Sequence, residues 1–316
     1  MTSLNRRTFL GAAAAMIAST SLPGLAFAST KISVGYTVVA DTAYLFSAAE
    51  EGYFNEQELD VTLRFIPLNP SLPPALQSKS LTIALETPSV FLQSVDAGLD
   101  HVVIAGAAQL SKGTTMAGFV SSQAAGIKTA QDCVGKTIGA PGLGALLHVA
   151  FRKWLRQNGV DDSQVKFVEA SFPQHNDLLR GGSIDGVVTA DPFMERIITS
   201  GTGRLVSHFL AELPEGMPTL VFVTRRDWAE ENPSQVKSFQ QAISKAATFV
   251  TNPANDEAVR IQLGKYIKMP PPVLASMQIN PPSPVVTAEQ LNHWVQAMTE
   301  QDMLKSTPDL SKLIIQ

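Results

Sequence analysis

The chain has 316 residues, with 24 Lys+Arg against 28 Asp+Glu and a net charge of −4. Such mild acidity gives no electrostatic footprint for nucleic acid. The one cysteine, Cys133, has no intrachain partner, so packing rather than disulfides must stabilise a chain long enough to bury two ordinary cores.

Residues 1–28 read as an export signal and not as fold. Two arginines in Asn5-Arg6-Arg7-Thr8-Phe9-Leu10 precede an apolar run, Leu10 to Ala18, and the small-residue site Ala26-Phe27-Ala28 follows. Adjacent arginines with Phe and Leu behind them resemble the twin-arginine type. The run is too short for a membrane anchor, which needs roughly 20 apolar residues. Cleavage after Ala28 removes two arginines and no acid, and the expected product is an exported, periplasmic protein.

After that segment, Ile32, Val34, Tyr36 and Val38 alternate as in a half-buried strand. Asp41 or Thr42 can cap a helix from Ala43 to about Glu51, which Gly52 ends. Val61, Leu63 and Phe65 alternate again. The continuous apolar run His101 to Ala105 predicts a central buried strand. Lys136 to Ala140 predicts a short strand, then Pro141-Gly142-Leu143-Gly144 and a helix from Ala145 to about Gln157, stopped by Asn158-Gly159. Val165–Glu169 and Gly186–Thr189 continue the rhythm, which argues for mainly parallel α/β sheets. Beyond Pro218, one more strand, Thr219–Val223, gives way to longer helices. Thr287 and Gln290 have capping-box spacing ahead of Leu291, Trp294, Val295 and Met298.

One internal echo stands out. Leu76 to Pro88 can be laid on Leu179 to Asp191: a helix end, a turn through a serine, a short apolar strand, then acid and proline. Two readings are open, chance or a pair of similar lobes that each send a strand end into a shared crevice, where open α/β sheets bind ligands.

The familiar catalytic motifs fail here. Gly181-Gly182-Ser183-Ile184-Asp185 puts an acid where a nucleophile elbow needs its second glycine, and Ser183 precedes a strand rather than a helix. Gly135-Lys136-Thr137 lacks the first P-loop glycine and runs into a strand. Gly142-Leu143-Gly144 lacks the third glycine of a dinucleotide fingerprint; a simple loop, or backbone N–H groups offered to a ligand at a helix start, are both open. The five histidines show no metal-ligand spacing, and no metal site and no cofactor are expected.

Taken together, these residues resemble the substrate-binding proteins of ABC importers, in the branch covering nitrate, sulfonate, taurine and thiamine-pyrimidine binders (SsuA/THI5-like, NMT1-like). The resemblance rests on Val34-Gly35-Tyr36, Ala48 to Phe54, Leu59-Asp60-Val61, Gly135 to Gly139, Gly142-Leu143-Gly144 and Leu179 to Phe193, in that order. It implies an α/β fold of the type II periplasmic binding protein kind, two lobes with mainly parallel sheets flanked by helices and joined by two crossing strands. The boundaries it implies are 29–117 for the first lobe, 118–218 for the second, and 219–316 for the return with C-terminal helices. Met116–Val120 and Thr219–Val223 would be the crossing strands.

On the same basis the ligand would meet Val39, Asp41, Thr42, Glu86, Thr87, Pro88, Ser89 and Met116 from the first lobe and its crossing. The second lobe would supply Gly142, Leu143, Gly144, Ala145, Phe172, Gln174, His175, Asp191, Pro192 and Phe193. Closure would bury the ligand and present a surface to an inner-membrane ABC permease; a monomer and no catalytic residue are expected. These loops contain Asp41, Glu86 and Asp191 but no Lys or Arg, which leans toward a ligand with hydrogen-bond donors, such as a nitrogen heterocycle or amino compound, rather than a bare anion. Phe172 or Phe193 would be its stacking surface. Asp191 can equally cap a helix with Pro192 at its first position. Two alternatives remain, a thiamine-pyrimidine-synthase-like enzyme on the same fold and a ligand-sensing subunit of a membrane receptor. The enzyme would need a cysteine-rich motif and a cofactor lysine that the matching loops lack.

Overall fold

The computed structural model describes residues 30–315, so the predicted export signal lies outside the described residues. Among the described residues, ten strands form two sheets of five. They are β1 (Thr30–Tyr36), β2 (Leu59–Phe65), β3 (Ile83–Glu86), β4 (His101–Gln109), β5 (Ala117–Ser122), β6 (Thr137–Ala140), β7 (Lys166–Glu169), β8 (Gly186–Ala190), β9 (Gly203–Ser207) and β10 (Pro218–Arg225). The first sheet runs β2-β1-β3-β10-β4 and the second β7-β6-β8-β5-β9. The two orders correspond position by position, and β3 and β8, the strands of the internal echo, both take the centre.

β1 is parallel to β2 and β3, and β6 is parallel to β7 and β8. One antiparallel strand enters each sheet beside its central member: β10 next to β3, and β5 next to β8. The segments predicted as crossing strands fall on β5 and β10, and each pairs within the sheet it enters.

Each lobe buries an aromatic cluster. In the first, Phe46 stacks on Tyr266 at 4.0 Å, and Phe239 packs on both Phe54 and Phe222. In the second, Phe151 lies 4.6 Å from Phe119 and 5.3 Å from Trp154. The C-terminal helix Ala288–Thr299 starts as its spacing predicts: Thr287 Oγ1 accepts from Gln290 N, and the Gln290 side chain accepts from Thr287 N. Gln290 Nε2 also donates to Gln109 Oε1 and Gly216 O, one at each crossing, so this helix straddles both connections. Beyond it, Gln301 Nε2 donates to Val149 O at 3.1 Å and Glu300 pairs with Lys153, which fastens the first lobe's return to the helix Leu146–Gln157 of the second.

The segment between the helices Pro271–Ser276 and Ala288–Thr299 lies along β4. Gln109 N donates to Pro281 O, and Ser283 N donates to Ala107 O. Only glycine permits this approach at position 106, where a Cβ would lie 2.1 Å from Ser283 O. Gly106→Ala should therefore destabilise the fold by about 1–3 kcal/mol, the range for overpacking a tight contact. A lowered urea midpoint would show it; an unchanged midpoint would mean that the segment yields freely.

Candidate functional site

The carboxyl ends of both sheets converge on one cavity. Thr37 follows β1, Thr87 follows β3, Pro141 follows β6, and Ala190 ends β8; all four line it. Asn69 and Phe172 come from the loops after β2 and β7, and Met116, Thr219 and Leu220 from the crossings. Its walls are mostly aliphatic. No Lys, Arg, His or Cys is among its lining residues.

Of the residues expected to meet ligand, Val39, Asp41, Thr87, Met116, Ala145 and Phe172 line this cavity. The others stand behind or beside it. Thr42 is buried and donates to Thr37 O at 3.0 Å. Pro88 opens the helix Pro88–Asp96, and Ser89 sits within 3.3 Å of the Thr87 hydroxyl. Gln174 accepts from Ser171 N and Oγ, capping its own turn. Phe193, beyond Pro192, stacks on Phe172 at 5.5 Å, so the two rings brace each other and Phe172 faces the cavity.

The three acids have three different fates. Asp41 is buried, with Oδ1 accepting from Asn280 N and Oδ2 from Asn280 Nδ2 and Thr219 Oγ1 at 2.6 Å. Burial raises its pKa while these donors oppose the shift. Glu86 is fully buried with both carboxyl oxygens unpartnered, and burial holds its pKa well above the usual carboxylate range. Its strand partner on the same sheet face is Val221, and it does not line the cavity.

Asp191 lies between the lobes. Its N–H donates to Met116 O, its carbonyl accepts from Ala40 N at 3.0 Å, and its Oδ2 accepts from Gln278 N at 3.3 Å. Its Oδ1 is buried without a partner, and burial pushes its pKa up to about 7.

A second tie across the lobes is made by the glycine turn. Gln93 Nε2 donates to Gly144 O at 2.8 Å. Gly142 and Gly144 have φ of +131° and +83°, and a Cβ on either would collide with Pro70 or Gln93 of the first lobe. Both the backbone conformation and the close approach require glycine here. Gly144 N in turn donates to His148 Nδ1 at 3.0 Å, so that nitrogen must be unprotonated. Leu143, at the tip, is exposed and its N–H donates to Glu169.

His175 is a brace. Its Nε2 donates to Ala170 O at 2.8 Å, and its Nδ1 accepts from the Thr189 hydroxyl at 2.9 Å. Burial lowers the pKa of both histidines to about 4, so each is a neutral structural group at ordinary pH.

Thr37, Asn69, Thr219 and Leu220 were not among the expected site residues. The available signal was position: Thr37 directly follows β1 as Thr87 follows β3, and Asn69-Pro70 is a turn signal after β2.

A sequence model of the family described as NMT1/THI5 like matches residues 40–256. The chain belongs to that family. Within 129 residues it is 30% identical to the taurine-binding periplasmic protein of Escherichia coli K12, over 40% of this chain and 39% of that one. Across 226 residues it is 28% identical to the formylaminopyrimidine-binding protein of Halalkalibacterium halodurans, over 70% of this chain and 65% of that one. Both matches thus span less than two thirds of the relative. Among solved structures, the alkanesulfonate-binding protein SsuA of Xanthomonas axonopodis pv. citri superposes with a TM-score of 0.76 at 16% identity, covering 90% of this chain and 98% of that one. The periplasmic nitrate-binding protein NrtA of Synechocystis PCC 6803 gives 0.75 at 14%, covering 90% and 86%. These establish the periplasmic-binding-protein fold, two-lobed and mixed α/β, as the sequence led us to expect. No helix among the described residues is long and apolar enough to cross a membrane.

The placement of Asp191 has a pH consequence. Its pKa is about 7 in this conformation, against 3.8 for an ordinary carboxyl, so a conformation that exposed Asp191 to water would hold the proton less tightly. The conformation that buries Asp191 is accordingly favoured in acid and loses that advantage as pH rises from 3.8 to about 7. Ligand affinity should fall over that interval and flatten above it, and Asp191→Asn should remove the slope. Titration calorimetry across the range checks this; an equal slope in the variant would contradict it.

Proposed function

We propose that this chain is the extracytoplasmic substrate-binding protein of an ABC importer, capturing a small organic molecule between its lobes and handing it to the permease. The observation that carries the reading is the cavity itself. Its walls come from the strand ends of both lobes, and hydrogen bonds from Ala40 and Gln278 to Asp191, and from Gln93 to Gly144, hold the lobes together around it. Each such bond is worth about 1 kcal/mol net, so these three together add only a few kcal/mol to the cost of opening. That suits a carrier that must both seal and release its cargo.

The names of relatives support the same reading, since the taurine, formylaminopyrimidine and alkanesulfonate proteins are all described as binding proteins. An enzyme on this fold would need reactive groups in the cavity. Cys133 is instead buried elsewhere, with burial raising its thiol pKa to about 12. We read the protein as exported by the twin-arginine route, cleaved near Ala28, periplasmic and monomeric.

The expected result is a small molecule released on denaturing protein purified from its native host, identifiable by mass spectrometry. Deleting the gene should abolish uptake of that compound. Normal uptake in the deletion strain, of that compound and of every other solute tested, would contradict an importer role.

A further inference from the structure

Asn69 connects two of the cavity's hydroxyls, and its orientation is fixed by backbone groups. Thr87 N donates to Asn69 Oδ1 at 2.9 Å, while on the other side Nδ2 donates to Leu85 O at 3.4 Å. An N–H can face only the amide oxygen and a carbonyl only the amide nitrogen, so the carboxamide cannot be flipped. Each hydroxyl beside it then has a defined polarity. The Thr87 hydroxyl has protein acceptors for its single hydrogen in Asn69 Oδ1 at 3.2 Å and Ser89 Oγ at 3.3 Å, and whichever takes it, at least one oxygen lone pair is left to the cavity. Thr37 Oγ1 accepts from Asn69 Nδ2 and has its own hydrogen free to donate. A third wall hydroxyl, Thr219, spends its hydrogen on Asp41 and likewise presents lone pairs.

We propose that Asn69 is a specificity-determining residue, and that the polarity it imposes selects an uncharged ligand carrying N–H donors beside a carbonyl, of the cyclic amide or ureide class. This rests on the binding-protein reading above and adds the ligand's chemistry. A carbonyl oxygen meets the Thr37 hydrogen, and N–H groups meet the lone pairs of Thr87 and Thr219. Nitrate or a sulfonate head offers acceptors alone. It could satisfy Thr37 but would set its oxygens against the other two, in a wall without a basic side chain. The aliphatic remainder of the lining suits the flat, weakly hydrated faces of such a ring.

The test is calorimetry with four probes, uracil and hydantoin as neutral donors and acceptors, ethanesulfonate and nitrate as anions. Wild type should bind at least one neutral probe about 100-fold more tightly than either anion, the discrimination expected when a site built for donors meets a ligand that lacks them. Asn69→Ala should weaken the neutral probe about tenfold, the loss of roughly 1.4 kcal/mol, and leave the anions unchanged, so that the selectivity ratio shrinks. Thr37→Val and Thr87→Val, nearly isosteric, should each shrink the same ratio and serve if the Asn69 variant folds poorly. Equal losses for all probes in these variants would reduce Asn69 to a structural residue and overturn the proposal. Preference of wild type for ethanesulfonate or nitrate would overturn the ligand class while leaving the binding-protein reading standing. Failure of wild type to bind any neutral probe would also overturn the class. The binding-protein reading itself fails only if native protein carries no small molecule and its loss affects no uptake.

Discussion

The site depends on the burial of one carboxylate. Asp41 sits in the turn after β1, shielded from water, and an unpaired charge there would cost several kcal/mol. Its three donors come from distant parts of the chain: the main chain and side chain of Asn280, and the hydroxyl of Thr219 at the start of β10. Satisfying Asp41 therefore brings the return strand and the 277–283 segment to the mouth of the cleft. The same segment then reaches the second lobe, through Gln278 N to Asp191, and the crossing, through Asn280 to Thr114. One buried acid thus organises the floor of the cavity and places the group that touches the opposite lobe.

This changes how the acids bear on ligand choice. Read along the chain, Asp41, Glu86 and Asp191 look like acceptors aimed at a donor-bearing ligand. In the fold, Asp41 is taken up by protein donors, Glu86 is sealed into the sheet where burial raises its pKa, and Asp191 is occupied with lobe contact. The lean toward donors survives on different atoms. It now rests on threonine oxygens whose hydrogens have protein acceptors.

The architecture was legible because burial leaves periodic traces. Alternation marked β1 and β2, a continuous apolar run marked β4, and the echo between Leu76–Pro88 and Leu179–Asp191 pointed to strands that occupy the same central place in two matching sheets. What left no trace was partly exposed or rule-breaking. The edge strand β9 is only partly buried and carries Arg204 as its second residue. The helix Pro271–Ser276 hid inside a proline run, where Pro at the first turn fits the helix but reads as punctuation. At the site, strand ends could be located but not ranked. Thr37 and Asn69 have no periodicity and no charge, and their importance comes from a hydrogen-bond direction that exists only once β1, β3 and the 69–71 turn are assembled.

The central claim is that two lobes close on a ligand and that specific hydrogen bonds between them hold the closed form. Small-angle X-ray scattering on the protein stripped of its co-purifying molecule, then resupplied with it, tests this most directly. The account predicts a smaller radius of gyration on resupply, with the compaction diminished in Gln93→Ala, which removes the bond to Gly144. An unchanged radius with the ligand demonstrably bound would contradict it.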